Sequence, residues 1–218
     1  MSLRQTTAAY AAQLRQDMAI GEDEVIGDLI HHIQEAGYHY MEESFEDEFS
    51  GFSRALGGGN YLIGFNHDHF WSEKFRRFTL AHELGHVTIP EHRHLLEKDG
   101  LHRSRSEFQS RDPIERQADY FAICFLAPRK GFQTAMRYKE YTRKTIFELS
   151  DHFEISPYAA VLRFIELTDL ACTLVVCTAD GFIERETRSD RMKETYKQDF
   201  LSKKRVKGTT LTYDYTCV

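Results

Sequence analysis

The segment RFTLAHELGH, residues 77–86, contains two histidines four positions apart with a glutamate between them. In an α-helix such positions lie about 40° apart around the axis and one turn apart along it, so His82 and His86 can direct ring nitrogens at one ion. Glu83 lies about 100° round the axis from His82 and is better placed to act on water at an open position of that ion. The spacing predicts a zinc centre with Glu83 as general base.

A catalytic zinc ion usually has three protein ligands and one open position, so two histidines are too few. The segment IERQADYFA places Glu115 and Asp119 on one face of a predicted helix. Glu115 can supply the third ligand, and Asp119 can accept a hydrogen bond from the non-ligating nitrogen of a zinc-bound histidine. His102 is a candidate donor to the oxyanion of a tetrahedral intermediate.

Two other interpretations of these residues stay open at this point. The first helix can be an ordinary amphipathic core helix whose histidines form hydrogen bonds and bind no metal. Alternatively, the zinc ion is purely structural and takes a fourth ligand from His92, His94 or His102, although histidines in such a polar segment are more often surface residues. Spacing alone does not separate these interpretations from a catalytic centre.

Hydrophobic periodicity places the candidate ligands on helices. One helix is predicted at residues 71–89, ended by Pro90, and another from the capping pair Asp112-Pro113 to Leu126. Helices are also predicted at residues 5–19 and 22–36, with shorter ones in 129–168.

The segments between these helices are less regular. Residues 38–56 alternate weakly and contain the acidic cluster EESFEDEF, residues 42–49, which is predicted to be a solvated face or loop. A glycine turn precedes a predicted strand at 61–65. The polar segment 90–112 is predicted to be a loop. From residue 171 the pattern predicts a strand, an Asp-Gly turn and a second strand, then a charged helix and a final strand in GTTLTYDYTCV.

The composition is that of a globular protein, with 218 residues of which 41% are hydrophobic and 28% charged. The net charge of −6 argues against a chain whose main role is to bind nucleic acid. There is no Cys-x-x-Cys pair, no signal-peptide pattern and no run approaching about 18 apolar residues. We therefore expect a soluble intracellular protein with reduced thiols and no membrane partner.

The motifs RFTLAHELGH and ERQADYFAICFLAP together closely resemble those of the ImmA/IrrE family of zinc metallopeptidases. The resemblance covers residues 20–130. It implies a cytoplasmic endopeptidase that cleaves a helix-turn-helix transcriptional repressor at one peptide bond. It also implies roles for site residues, in an arrangement similar to that of gluzincin peptidases: zinc ligands His82, His86 and Glu115, general base Glu83, and hydrogen-bond partner Asp119.

Residues 145–168 resemble the helix-turn-helix-like segment that often follows this peptidase core. Its predicted recognition helix has one basic residue, Arg163, against Glu166, where a DNA-binding helix needs several phosphate and base contacts. We therefore predict a structural or protein-docking role for the segment. The tail from residue 171 is too short for the sensor-like C-terminal domain that some family members carry.

The sequence thus predicts an α+β protein with a mostly helical, zincin-like metallopeptidase core and a small N-terminal sheet in residues 1–130. A helical, helix-turn-helix-like segment follows in 131–170, and a small α/β tail in 171–218. The predicted function is that of a zinc endopeptidase whose substrate is a transcriptional repressor. One alternative is a regulator that binds a partner protein and whose zinc site is idle or structural, which an intact Glu83 disfavours. The other is a DNA-binding transcription factor, which the acidic charge disfavours.

Overall fold

The computed structural model describes residues 2–105, 110 and 112–196. The protein is a mixed α+β chain, as predicted, and its described residues form two compact units that divide between Pro157 and Tyr158. The elements of the first unit are α1 (Leu3–Asp17), α2 (Leu29–Glu35), β1 (His39–Glu43), β2 (Gly51–Gly57), β3 (Asn60–Asn66), α3 (Glu73–Thr88), α4 (Pro90–Asp99), β4 (Leu101–Ser104), α5 (Pro113–Leu126), α6 (Arg129–Met136) and α7 (Arg143–His152). The unit boundary falls at the start of α8 (Pro157–Leu167), which is followed by β5 (Thr173–Cys177), β6 (Ile183–Arg188) and α9 (Asp190–Thr195).

The four-stranded sheet has the strand order β1-β3-β2-β4, so β1 and β4 lie at its edges. β1 is parallel to β3, whereas β2 is antiparallel to both β3 and β4. Directly opposite residues of an antiparallel pair point to the same face of a sheet. Gly51, which pairs with Ser104, and Ser53, which pairs with His102, therefore share one face. That face lies against α3, because Ser53 and Ser104 both reach Glu83.

Helices α3 and α5 pack against each other in the centre of the first unit. A Cβ atom added to Gly85 on α3 would be 3.2 Å from the ring of Phe121 on α5. Because glycine has no side chain, the Phe121 ring lies directly on the backbone of α3 at this point. The apolar face of α5 is buried here, with Ala118, Phe121, Ala122 and Phe125 fully inaccessible to solvent.

The predicted helix over residues 22–36 is wrong in its first half, because α2 begins only at Leu29. Carbonyl groups of the preceding segment accept hydrogen bonds from two buried guanidinium groups. Arg77 is 50 or more residues from its partners and Arg15 lies on α1, so the pattern within 22–36 cannot reveal these contacts. The bonds join Arg15 to the carbonyls of Gly21 and Glu24 at 2.5 and 2.6 Å, and Arg77 to those of Gly27 and Ile26 at 2.8 and 2.6 Å.

The acidic cluster 42–49, predicted to be a solvated face or loop, lies mostly between β1 and β2. The segment 90–112, predicted to be a loop, contains α4 and β4. Pro90 ends the predicted helix, but it also occupies the first position of α4, where its missing N–H is not needed. β4 forms because its four residues pair with one edge of β2. Neither feature follows from a local alternation of polar and apolar residues.

The second unit contains α8, where the sequence predicts the recognition helix of a helix-turn-helix-like segment. Arg163 on α8 is only 3% exposed and forms an ion pair with Glu166 at 2.7 Å. β5 and β6 form an antiparallel hairpin, as predicted. Within the charged helix predicted at 189–205, α9 covers Asp190–Thr195, and the part from residue 197 lies outside the described residues. The predicted final strand at 208–218 lies outside the described residues. The predicted three-part domain division stays a prediction.

Replacing Gly64 on β3 by alanine is expected to lower the free energy of unfolding by about 1–3 kcal/mol, the usual cost of adding volume to a packed core. The added Cβ would be 2.0 Å from the ring of Phe52, which pairs with Gly64 across the strands. Urea unfolding followed by circular dichroism measures the change. Gly27→Ala is the control, because nothing lies within 4 Å of a Cβ there. Equal losses of stability in the two variants would contradict this account of the sheet.

Candidate metal centre

Helix α3 supplies three of the predicted site residues. Its N-cap is Ser72, whose hydroxyl accepts a hydrogen bond from the amide of Phe75 at 3.2 Å. The helix brings His82, Glu83 and His86 into the interior, where they are 0%, 0% and 3% exposed. Polar groups buried to this extent need hydrogen-bond partners or a metal ion.

Helix α5 supplies the other two residues. The side chain of Asp112 caps it by accepting a hydrogen bond from the amide of Ile114 at 2.9 Å, and Pro113 is its first residue. Glu115 lies in the first turn, where the helix dipole favours a carboxylate. Asp119 follows one turn later, and both carboxylates contact α3.

The structure brings His82, His86 and Glu115 together. The Nε2 atoms of the two histidines are 3.0 Å apart. Glu115 Oε2 is 3.3 Å from Nε2 of His82, and Glu115 Oε1 is 3.4 Å from Nε2 of His86. A tetrahedral zinc ion with bonds of about 2.0–2.1 Å separates its ligand atoms by about 3.3 Å. The three side chains therefore suit a single divalent cation.

The contact between Asp119 and His82 orients the imidazole ring. His82 Nδ1 is 2.9 Å from Oδ1 of Asp119, which directs Nε2 towards His86 and Glu115. Burial by itself would lower the pKa of His82, but the hydrogen bonds with Asp119 and Glu115 raise that pKa to about 10. In the metal-free protein His82 therefore carries a proton that a cation would displace.

His86 and Glu115, unlike His82, are already in the protonation states that bind a metal ion. Burial lowers the pKa of His86 to about 3, although its contact with Glu115 acts in the other direction. Burial would raise the pKa of Glu115, but hydrogen bonds from His102, His82 and His86 hold it well below its usual range. A neutral imidazole and an ionised carboxylate are the states that bind metal ions, so these two groups are already prepared for a cation.

Glu83 lies between α3 and the sheet. The hydroxyl of Ser53 donates a hydrogen bond to Glu83 Oε2 at 2.6 Å, and the hydroxyl of Ser104 donates to Oε1. Gly51 leaves space for the carboxylate, since a Cβ there would be 2.8 Å from Glu83 Oε1 and 2.5 Å from Cγ2 of Thr79. Burial raises the pKa of the Glu83 carboxyl.

His102 lies on β4 and contacts the candidate ligands. Its Nε2 atom is 2.9 Å from Oε1 of Glu115, and its ring centroid is 4.1 Å from that of His86. Burial would lower the pKa of His102, but the contact with Glu115 raises it. The imidazole thus interacts with a carboxylate in this structure, and its role as an oxyanion donor stays a prediction.

The other two histidines of the segment lie on helix α4 and not in a loop. His92 is 3% exposed, contrary to the surface position expected for it, and its Nε2 is 3.2 Å from Oε1 of Gln117. His94 is exposed. Among the described residues, the one group able to hold a metal ion is the three-residue group of α3 and α5. None of His92, His94 and His102, the candidate fourth ligands, belongs to that group.

Neither Ser53 nor Ser104 is identified from the sequence, although both contact Glu83. Ser53 follows Gly51 at the spacing of two that residues on one face of a strand share, but the weak pattern around them gives no strand signal. Ser104 lies in a segment predicted to be a loop. Its position results from the pairing of β4 with β2, in which Ser104 is opposite Gly51.

An α+β fold that carries His-Glu-x-x-His and Glu-x-x-x-Asp on two packed helices is typical of metallopeptidase-like proteins. The chain belongs to the family described as IrrE N-terminal-like domain, Peptidase M78, whose family model matches residues 33–164. This finding confirms the resemblance to the ImmA/IrrE family.

The fold is also similar to that of a solved structure, a Mycobacterium tuberculosis transcriptional regulator, with a TM-score of 0.55 and 13% sequence identity. The similar region covers 84% of this chain and 55% of that one, so this chain spans about half of the regulator's length. At this identity the likeness concerns the fold alone. A search of curated proteins gives no match.

Replacing Asp119 by asparagine is expected to lower the pKa of His82 in the metal-free protein, because the carboxylate that helps to raise it is lost. Proton–nitrogen NMR spectra of labelled histidines, recorded across pH, measure the titration. The wild-type imidazole should stay protonated up to about pH 10. Asp28→Asn, at the N-cap of α2, is the control and should leave the His82 titration unchanged. A wild-type His82 that is neutral at pH 7 would contradict the prediction.

Proposed function

We propose that the protein is a cytoplasmic zinc endopeptidase whose zinc ligands are His82, His86 and Glu115. The observation that carries the proposal is the convergence of the two Nε2 atoms and the Glu115 carboxylate at separations of 3.0–3.4 Å. Three such ligands leave one position of a tetrahedral ion open, as catalytic sites require. The bond from Asp119 to His82 gives the ligand the support that functional zinc sites have.

In the proposed reaction Glu83 is the general base. A bound zinc ion would polarise the scissile carbonyl and lower the pKa of water at its open position. Glu83 would take the proton of the attacking water and pass it to the leaving amine. Burial supports the transfer of the proton to the amine, because it raises the pKa of the Glu83 carboxyl and so favours the protonated acid that donates it.

Strand β4 offers a place for a peptide substrate. It lies at an edge of the sheet, and its residues His102 and Ser104 contact Glu115 and Glu83. Extended peptides bind such edges by adding a strand through main-chain hydrogen bonds. We propose that a peptide segment that pairs with this edge would present its scissile bond to the metal centre.

The proposed substrate is a helix-turn-helix transcriptional repressor, cut at one peptide bond. Membership of the IrrE N-terminal-like family and the similarity in fold to a transcriptional regulator support a regulatory role. In the ranges that the structure describes, no helix has both the length and the apolar character needed to cross a membrane.

A second candidate is a regulator that binds a partner protein without cleaving it. The similarity in fold to a transcriptional regulator favours this candidate, and the complete set of Glu83 and three ligands favours the peptidase. DNA binding through α8 is disfavoured, because Arg163 is buried and paired with Glu166.

Glu83→Gln is expected to reduce substrate cleavage by about 10²–10⁴-fold, the usual contribution of general acid–base catalysis, while zinc stays bound. Co-expression with candidate repressors, followed by immunoblotting, measures cleavage, and elemental analysis measures zinc. Glu73→Gln is the control, because Glu73 lies at the exposed start of the same helix. Cleavage by the Glu83→Gln variant at the wild-type rate would refute the assignment of the base.

Zinc is expected to raise the midpoint of thermal unfolding of the metal-free protein, because a ligand that binds only the folded state stabilises it by about 2.7 kcal/mol at 100 times Kd. His86→Ala and Glu115→Ala should abolish this gain. His94→Ala, on the exposed side of α4, should retain it. A full zinc-dependent gain in the Glu115→Ala variant would contradict the proposed ligand set.

A further inference from the structure

We propose that Ser53 and Ser104 are positioning residues for Glu83, and that their hydroxyl groups hold its carboxylate in the orientation that proton transfer requires. This inference rests on the proposed role of Glu83 as general base. It concerns two residues that come from neighbouring strands of the sheet and act on the reacting water only through Glu83.

Each oxygen atom of the Glu83 carboxylate accepts one serine hydroxyl. Ser53 donates to Oε2 at 2.6 Å, and Ser104 donates to Oε1. Glu83 and Ser53 are fully buried and Ser104 is 2% exposed, so little solvent competes for these bonds. The two donors come from different strands and reach different oxygens, so they fix both the rotation and the plane of the carboxylate. Without these bonds the flexible glutamate side chain would populate several rotamers.

The two bonds leave the carboxylate able to act on water. An ionised carboxylate has about four acceptor positions, and the serines occupy one on each oxygen. A misplacement of about 1 Å in a reacting group can cost about 100-fold in rate, so an orientation fixed in advance favours catalysis. Serine hydroxyls suit this task because they donate hydrogen bonds without a positive charge, which would make the carboxylate a weaker base.

The register of β2 and β4 establishes this arrangement. Gly51 is opposite Ser104, and Ser53 is opposite His102, so all four residues point to the side of the sheet where α3 lies. A Cβ at position 51 would be 2.8 Å from Oε1 of Glu83, and the glycine therefore leaves space for the carboxylate between the serines. The same strand pair brings His102 to Glu115. One strand register thus sets the contacts of the base and of a candidate ligand together.

The test compares Ser53→Ala, Ser104→Ala and the double variant with Ser150→Ala. Ser150 is the matched control because it is fully buried and donates to the carbonyl of Ile155 at 2.6 Å, without contact to Glu83. All proteins are loaded with cobalt, whose absorption spectrum reports ligand binding. The probe is acetohydroxamate, which binds a metal through its oxygen atoms and gives its hydroxyl proton to a neighbouring carboxylate.

The affinity for acetohydroxamate should fall about 10-fold for each single serine variant, in the range typical for partners that orient a metal-site group. The loss in the double variant should approach that of Glu83→Gln, and Ser150→Ala should bind as the wild type does. Ser53→Thr and Ser104→Thr retain the hydroxyl and should bind acetohydroxamate with an affinity close to that of the wild type. Thermal unfolding, measured in parallel, should show similar losses of stability for the serine variants and for Ser150→Ala.

With a cleavable repressor, the single serine variants should lower kcat by about 10–100-fold with little change in KM, because an interaction that orients the base acts on the chemical step. Ser150→Ala should keep the wild-type kcat. A merely structural role would lower stability in all three variants but would leave kcat and the acetohydroxamate affinity unchanged.

Wild-type affinity for acetohydroxamate together with wild-type kcat in folded serine variants would overturn the inference. If only the proposed function is wrong, the result is different. Neither the wild type nor any variant then cleaves a repressor, but the serine variants still bind acetohydroxamate more weakly than the wild type, which supports the positioning role of the serines. A wild type that binds no cobalt would overturn both proposals. If Ser53→Ala does not fold, Ser104→Ala at the end of β4 decides the question alone, because Glu83 still loses one donor.

Discussion

The hydrogen bond between His82 and Asp119 joins the two helices on which the candidate centre depends. It is 2.9 Å long and links residues that are 0% and 6% exposed. Loss of one partner from a buried charged pair typically costs about 3–5 kcal/mol, so this bond constrains how α3 and α5 can pack. Gly85 makes the arrangement possible, because it allows the ring of Phe121 to lie directly on α3.

The sheet positions the residues of the candidate centre that helix packing alone does not. Helix–helix packing brings together the two imidazoles and the carboxylate, but Glu83 and His102 depend on β2 and β4. A shift of one residue in the pairing of these strands would turn Ser104 away from α3, because alternate residues of a strand point to opposite faces. The candidate base and the candidate ligands are therefore controlled by two different layers of the same unit.

The candidate ligands could be predicted from the sequence because their geometry is local. His82 and His86 are one helical turn apart, and α5 begins and ends at the predicted residues, Pro113 and Leu126. The features that the sequence does not predict depend on contacts with other elements. The carbonyls of Gly21 and Glu24 are bound by Arg15 and those of Ile26 and Gly27 by Arg77, and β4 exists because it pairs with β2. Hydrophobic periodicity contains no information about such contacts, and for this reason the sequence does not identify Ser104.

Helix α1 lies outside the residues that match the family, 33–164, yet it belongs to the same compact unit. Arg15 donates to the carbonyl of Phe125 near the end of α5 at 2.6 Å, and Gln117 donates to Thr7 at 3.1 Å. A fragment trimmed to the family boundaries would expose one side of the helix that carries Glu115. The smallest piece of this chain suitable for isolating the centre must therefore include α1.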